Sequence, residues 1–219
     1  ATSFNHMADQ LSEMYRSLQE QVEQRTRQIR TAAEVAQGLT TSFNLDELLQ
    51  TTVHLIVERF GFYHAGIFLI DSAGKRASLR AAYGPSAEEM LRRGHQLEVG
   101  SDSIVGWASA NLKPRVASDV DKDSVHYKNP LLPDTRAEAG IPIALGESAL
   151  GVLDVQSTEP HVFDEEMVIV LQTLANQIAA AIHNATLADS AKLDAPEAER
   201  VYRLSHEIAQ AASKEEALA

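Results

Sequence analysis

Apolar residues recur along the first forty positions at alternating steps of three and four. Phe4, Met7, Leu11, Met14 and Leu18 form one seam, and Val22, Ile29, Ala36 and Leu39 carry a second in the same rhythm. Between Leu18 and Val22 the step is four where three is due, a stutter that locally unwinds a supercoil. Neither Pro nor Gly interrupts the run before Gly38. The pattern predicts one helix over residues 1–41, roughly 60 Å long at about 1.5 Å per residue. Such a stripe is buried only against another helix, most simply that of an identical chain.

Asn44 then stands as an N-cap with Glu47 in capping-box position. Leu45, Leu48, Leu49, Thr52, Val53 and Ile56 make the buried face of a second helix that ends near Gly61. The period changes at Tyr63. Residues 65–71 are a short apolar run ending in a Ser-Ala-Gly-Lys turn, and residues 77–83 follow as its hairpin partner. A helix is expected over 85–94, and a shorter one over 103–111 with Asp102 or Ser103 as cap. A short strand over 114–118 precedes a polar, Asp-rich loop over 119–135. A loop of that length in a compact domain is usually functional or mobile. Two strands follow, 137–145 and 149–156, joined at Gly146-Glu147. Pro142 makes its part of the first an edge or an irregular strand.

Asp164 caps a last long helix in which Met167, Leu171, Leu174, Ile178, Ala181 and Ala185 again step by four and three, a second coiled-coil seam. Pro196 interrupts it, and a new helix is expected from about Glu197. Glu34-Val35-Ala36-Gln37 recurs as Glu207-Ile208-Ala209-Gln210, each followed by an acidic-leucine segment, as if a second copy of the same domain began there.

Composition narrows the function classes. The 219 residues are 44% hydrophobic and 23% charged, and no run approaches the 18 apolar residues of a membrane span. No signal peptide is visible, and from a start in mid-helix without Met the chain is expected to be a piece of a longer protein. The net charge of −12 is concentrated in residues 31–187, with 11 basic and 20 acidic side chains. No part is basic, which argues against sequence-independent nucleic-acid binding. With no cysteine, the chain has no disulfide, thiolate metal site, thiol nucleophile or thioether-linked bilin. No Ser-His-Asp set, Gly-rich phosphate loop or paired-carboxylate motif stands out, so an enzyme is not expected, and no cofactor is indicated.

Several stretches in order then point to a family. These are Ser103-Ile104-Val105-Gly106-Trp107 with Lys113-Pro114-Arg115, the run from Asn129 to Arg136, Gly151 to Ser157, Phe163 to Glu166, and Leu174 to Ile182. Residues 31–187 resemble a GAF domain, the small-molecule sensor fold of many bacterial receptors. Residues 1–30, through the stretch Phe4 to Leu11, look like the last helix of a HAMP linker. The resemblance implies an α+β fold of GAF/PAS type. A five- or six-stranded antiparallel sheet would carry the N- and C-terminal helices on one face and short helices over a ligand pocket on the other, flanked by coiled-coil helices. Residues 188–219 would be a linker helix into a second GAF unit. It further implies a dimeric sensory module on the cytoplasmic side of an inner-membrane receptor, a histidine kinase or similar, with the membrane reached only through an upstream segment. The alternative is a ligand-free dimerising spacer. Methionine-sulfoxide reductases of this architecture work through cysteines, which this chain lacks.

Candidate pocket residues follow from that architecture. Trp107 either stacks on a planar ligand or fills the core under its helix. The free amides of Ser103 and Ile104 at a helix start favour an anion unless a cap satisfies them. His126, Tyr127 and Asn129 lie in the long loop. Arg136 either holds an anionic group or pairs with Asp134 or Glu138. His95 lies on the approach to the lid. No His spacing suits a metal.

Overall fold

The computed structural model describes residues 45–187. The first helix and its stutter, the Asn44 cap, the HAMP-like segment, the Pro196 break and the repeat at Glu207 all lie outside the described residues.

Helix α1 (Leu45–Phe60) buries Leu48, Leu49, Thr52, Val53 and Ile56, the face its periodicity predicts. Gly61 follows at φ 72°, a left-handed conformation that ends the helix without a Cβ penalty. Strands β1 (His64–Ile70) and β2 (Arg76–Tyr83) form the expected antiparallel hairpin. Their register slips between Ile67 and Phe68, so Arg80 is an extra residue on β2, and its guanidinium meets Asp46 of α1 at 2.6 Å. Helix α2 (Ala87–Arg92), strand β3 (Gln96–Glu98), helix α3 (Ile104–Asn111) and strand β4 (Arg115–Ala117) come next. Strands β5 (Ala137–Leu145) and β6 (Ser148–Ser157) precede the closing helix α4, described over 165–187. Of the described residues, 45–180 belong to one compact unit.

The six strands make one antiparallel sheet in the order β3-β2-β1-β6-β5-β4. Pro142 sits where β5 is paired with β6 but beyond the three residues paired with β4, so its missing N–H faces an open edge, as its chemistry requires. Strand β3 has no counterpart among the expected elements.

Alternation along the strands divides the sheet into two faces. On one, Tyr83 reaches α1, where its hydroxyl donates to Glu58 and its ring meets His54 edge-on. Gln172 of α4 donates to the Pro142 carbonyl. Leu171, Leu174 and Ile178 of α4 are fully buried. These three positions of the expected second seam are therefore covered within the chain itself. The other face carries a second core of Phe68, Leu79, Met90, Val105, Leu132 and Val152 beneath α2, α3 and the 118–136 segment.

Candidate functional site

Strand β5 buries every residue from Ala137 to Ile143, and Glu138 is the one charge among them. Strand β6 likewise carries Asp154 and Gln156 through a buried stretch. Register places them together. Glu138 pairs with Gln156, and Gln156 with His64, while Gly140 pairs with Asp154, and Asp154 with Gly66. A polar row of His64, Gln156 and Glu138 therefore lies beside a second row in which Asp154 is flanked by two glycines. The next row is apolar: Phe68, Val152 and Pro142.

A hydrogen-bonded chain runs through this patch. Thr135 Oγ1 donates to Gln156 Oε1 at 2.6 Å, and Gln156 Nε2 donates to Asp154 Oδ2 at 2.8 Å. His126 Nδ1 lies 2.6 Å from Glu138 Oε2. Among the described residues, Asp154 Oδ1 and both ring nitrogens of His64 have no hydrogen-bond partner, although Asp154 is 2% exposed and His64 fully buried. Buried polar groups are nearly always paired, and leaving one unpaired costs about 1–3 kcal/mol. Three such atoms on one face of the sheet mark it off from ordinary core. A Cβ built on Gly66 would stand 3.7 Å from His64 Nε2 and 3.0 Å from Leu79 Cδ1, and Gly66 is the register partner of Asp154.

The electrostatics follow from burial. Desolvation pushes Glu138 up to about 7, with the Asp123 charge adding to it and the interaction with Asp154 opposing. Asp154 is raised well above the usual carboxylate range by desolvation and then by the Glu138 charge. Burial drives His64 down to about 4, so its ring is neutral at pH 7. The Pro85 backbone pulls the other way, and the His95 ring adds a smaller push down. His126 and His95 are both lowered, first of all by burial. Among the described residues no group of three or more His, Asp or Glu is placed to hold a metal ion.

The residues singled out from sequence divide. His126 belongs to the patch through Glu138. His95 borders it, with its ring 5.9 Å from that of Phe68 at 67°. Ile104 is fully buried, and its Cγ2 stands 3.0 Å from where a Gly140 side chain would begin, so α3 roofs the Asp154 row. Ser103 Oγ accepts from the Gly106 amide at 2.9 Å, so Ser103, not Asp102, caps α3, and its own hydroxyl takes up one amide that an anion would use. Asn129 works as a loop clip, accepting from Leu131 N and donating to Met90 Sδ. Trp107 is half-buried, and Tyr127 is exposed. Arg136 lies 3.8 Å from Asp119 and from Asp121, not from Asp134 or Glu138. Glu138, Asp154, Gln156 and His64 went unselected. The signal was present: two carboxylates and an amide at alternate positions within otherwise apolar strands.

The open clefts among the described residues include one of about 430 Å³ beside Ser86, Glu89 and Arg92 and one of about 290 Å³ beside Asp119, Asp123 and His161. Neither is lined by the patch.

The family profile of the GAF domain matches residues 44–183. No curated protein matches the chain. Among solved structures, the GAF domain of a phosphoenolpyruvate-protein phosphotransferase from Coxiella burnetii is similar at 23% identity and a TM-score of 0.69, over 76% of this chain and 98% of that one. A free methionine-R-sulfoxide reductase from Neisseria meningitidis, in complex with its substrate, is similar at 21% identity and 0.64, over 74% and 91%. The GAF domain of A. aeolicus nlh2 in an inactive state is similar at 18% identity and 0.61, over 72% and 96%. Among the described residues no helix is long and apolar enough to cross a membrane.

Proposed function

The chain belongs to the GAF domain family, and on that premise we propose that residues 45–187 are a sensory module that binds a small molecule on the α2–α3 face of the sheet. The observation that carries this is the patch of buried, unpartnered polar atoms at His64 and Asp154. Evolution toward stability alone removes such groups or pairs them. A ligand that completes their hydrogen bonds explains why they stay. We place this module in a cytoplasmic, dimeric signalling protein, a histidine kinase or similar, with an upstream segment leading to the inner membrane. The HAMP-like signature from Phe4 to Leu11 and the seam that follows support that context.

Binding rather than turnover fits this chain. It has no cysteine, so it has no thiol to offer for reductase chemistry, and the patch sets no nucleophile against a base. A ligand would act by favouring one of two helix arrangements of similar energy. The test is a thermal-shift screen of metabolites against the whole chain. A ligand at 100 times its dissociation constant stabilises by about 2.7 kcal/mol, which moves the midpoint by several degrees. A saturable hit supports the sensor, and a broad screen without one favours the ligand-free spacer.

A further inference from the structure

Glu138 and Asp154 are diagonal neighbours on one face of β5 and β6, since Gly140 is the register partner of Asp154. Their carboxyl groups share a hydrogen bond, and two carboxyls can do so only by holding a proton between them. His126 Nδ1 meets Glu138 Oε2 at 2.6 Å. Two strands and one loop thus bring three titratable side chains into a single buried cluster. Among the described residues no Lys or Arg pairs with either acid, and Arg115 of β4 is held by Asp123. Without a cation, the cluster avoids a buried net charge only while it keeps its protons.

The loop around His126 is tied down unevenly. On one side Arg115 Nη2 reaches both oxygens of Asp123, and Asp123 Oδ1 accepts from the Val125 amide at 2.9 Å. On the other, Asn129 is clipped to Leu131 and Met90, and Leu132 enters the core. Between these anchors the backbone of 126–128 makes no hydrogen bond among the described residues, and Tyr127 and Lys128 are exposed. The His126 side chain joins this stretch to the sheet.

We infer that residues 124–128 are a proton-operated strap: the protons shared among His126, Glu138 and Asp154 hold it on the sheet, and their loss as pH rises releases it. The proton is then an input to the domain in its own right, whether or not the same face takes a small molecule. With the strap down, burial raises both carboxyls, Glu138 to about 7, and lowers His126. With it lifted, water reaches Glu138, which returns toward its ordinary 4.5. Between those values the closed form holds a proton that the open form has released. That contribution to closure is fully present below about 4.5 and is lost as pH rises through 7. His126 acts in the opposite sense, favouring release as pH falls below its ordinary 6.5, but two raised carboxyls outweigh one lowered imidazole near neutral pH. The other groups bearing on the cluster are Asp121, Asp123 and Lys128 of the same segment, Arg115 of β4 through Asp123, and His64 of β1 beyond Gln156. Helix α3, which roofs the Asp154 row, carries no titratable side chain.

The test is backbone ¹⁵N relaxation on the whole chain at pH 6 and pH 8.5, with no ligand added. Order parameters of residues 124–128 should fall from about 0.85 to below about 0.6 at the higher pH, while those of β1 and β6 stay at the rigid value. Glu138→Gln keeps a hydrogen-bonding partner for His126 but has no proton to release, so its strap should stay ordered at both values. Order parameters of 124–128 that do not change with pH in the unmodified chain overturn the strap. So does an equal loss across β1 and β6, which would be softening of the whole domain, or a pH response that survives in Glu138→Gln. Because no ligand enters the measurement, a fruitless metabolite screen counts against the small-molecule reading and leaves the strap standing.

Discussion

His126 Nδ1 stands 2.6 Å from Glu138 Oε2, and both side chains are 9% exposed. This contact ties the polar segment between β4 and β5 to the middle of the sheet. One proton lies between a base whose charged form burial disfavours and an acid whose charged form burial also disfavours. The pair therefore fastens the segment that covers the patch through a contact that depends on one proton.

Replacing His126 with Ala leaves Glu138 buried without that partner. Loss of a hydrogen bond to a buried group costs about 1–3 kcal/mol, so urea denaturation should show a drop of that size. Amide exchange over 120–135 should accelerate more than exchange in β1 or β6. Uniform acceleration across the sheet would show that the contact serves global stability and not the segment.

Glu138 and His64 give stability opposite slopes with pH. The folded-state pKa of Glu138, about 7, lies above its ordinary 4.5. Between those values the native protein holds a proton that the unfolded chain has released. That contribution is fully present below about 4.5 and is lost as pH rises through 7. For His64, at about 4 against 6.5, stability is present above 6.5 and lost as pH falls toward 4. Glu138→Gln removes the first slope. Its stability relative to the unmodified chain should rise between pH 4.5 and 8 by on the order of 3 kcal/mol. Asp154, relieved of the Glu138 charge, moves the same way. Denaturation at pH 5, 6, 7 and 8 checks this, and a difference flat in pH would mean that Glu138 ionises as an ordinary surface acid.

Gly84 and Gly74 separate two causes of glycine selection. Both have positive φ, 113° and 68°. A Cβ at Gly84 would stand 2.5 Å from the Tyr63 carbonyl oxygen, while one at Gly74 meets nothing within 4 Å. Gly74→Ala should cost about 1 kcal/mol from backbone conformation alone. Gly84→Ala should cost clearly more, because the start of β1, and with it His64, must shift. Equal midpoints for the two variants would refute that difference.

Much of the domain was legible because burial imposes a period. Leu45 to Ile56 showed one apolar helical face, and residues 65–71 and 137–156 showed strand lengths bounded by turn residues. Strand β3 was not legible, since its three residues alternate exposed, half-buried and exposed, too short a run for a period. Glu138 and Asp154 were passed over because a charged residue in a strand reads as solvent-facing. Only the register, which sets them on a face covered by α2 and α3, reveals two buried acids. Ser103 was legible as a cap because a hydroxyl before an apolar helix has one common use. The seam in α4 was legible as a period but not as an interface, because a helix covering its own sheet and a helix covering a partner share the same spacing.

That ambiguity is resolved by one pair of experiments. Leu174 is fully buried in the domain, so Leu174→Ala should destabilise it by about 2–5 kcal/mol, at roughly 2–4 °C of midpoint per kcal/mol, with the molar mass unchanged. Leu11 and Leu18 lie on the first seam, 34 and 27 residues before the first described helix. Replacing both with Asp should lower the mass measured by light scattering from dimer to monomer while the midpoint of the domain stays where it was. If Leu174→Ala dissociates a dimer without lowering the midpoint, the second seam is an interface after all. If the Leu11 and Leu18 variant keeps its mass, the first seam is not the dimer contact and the proposed relay through paired helices has no input end.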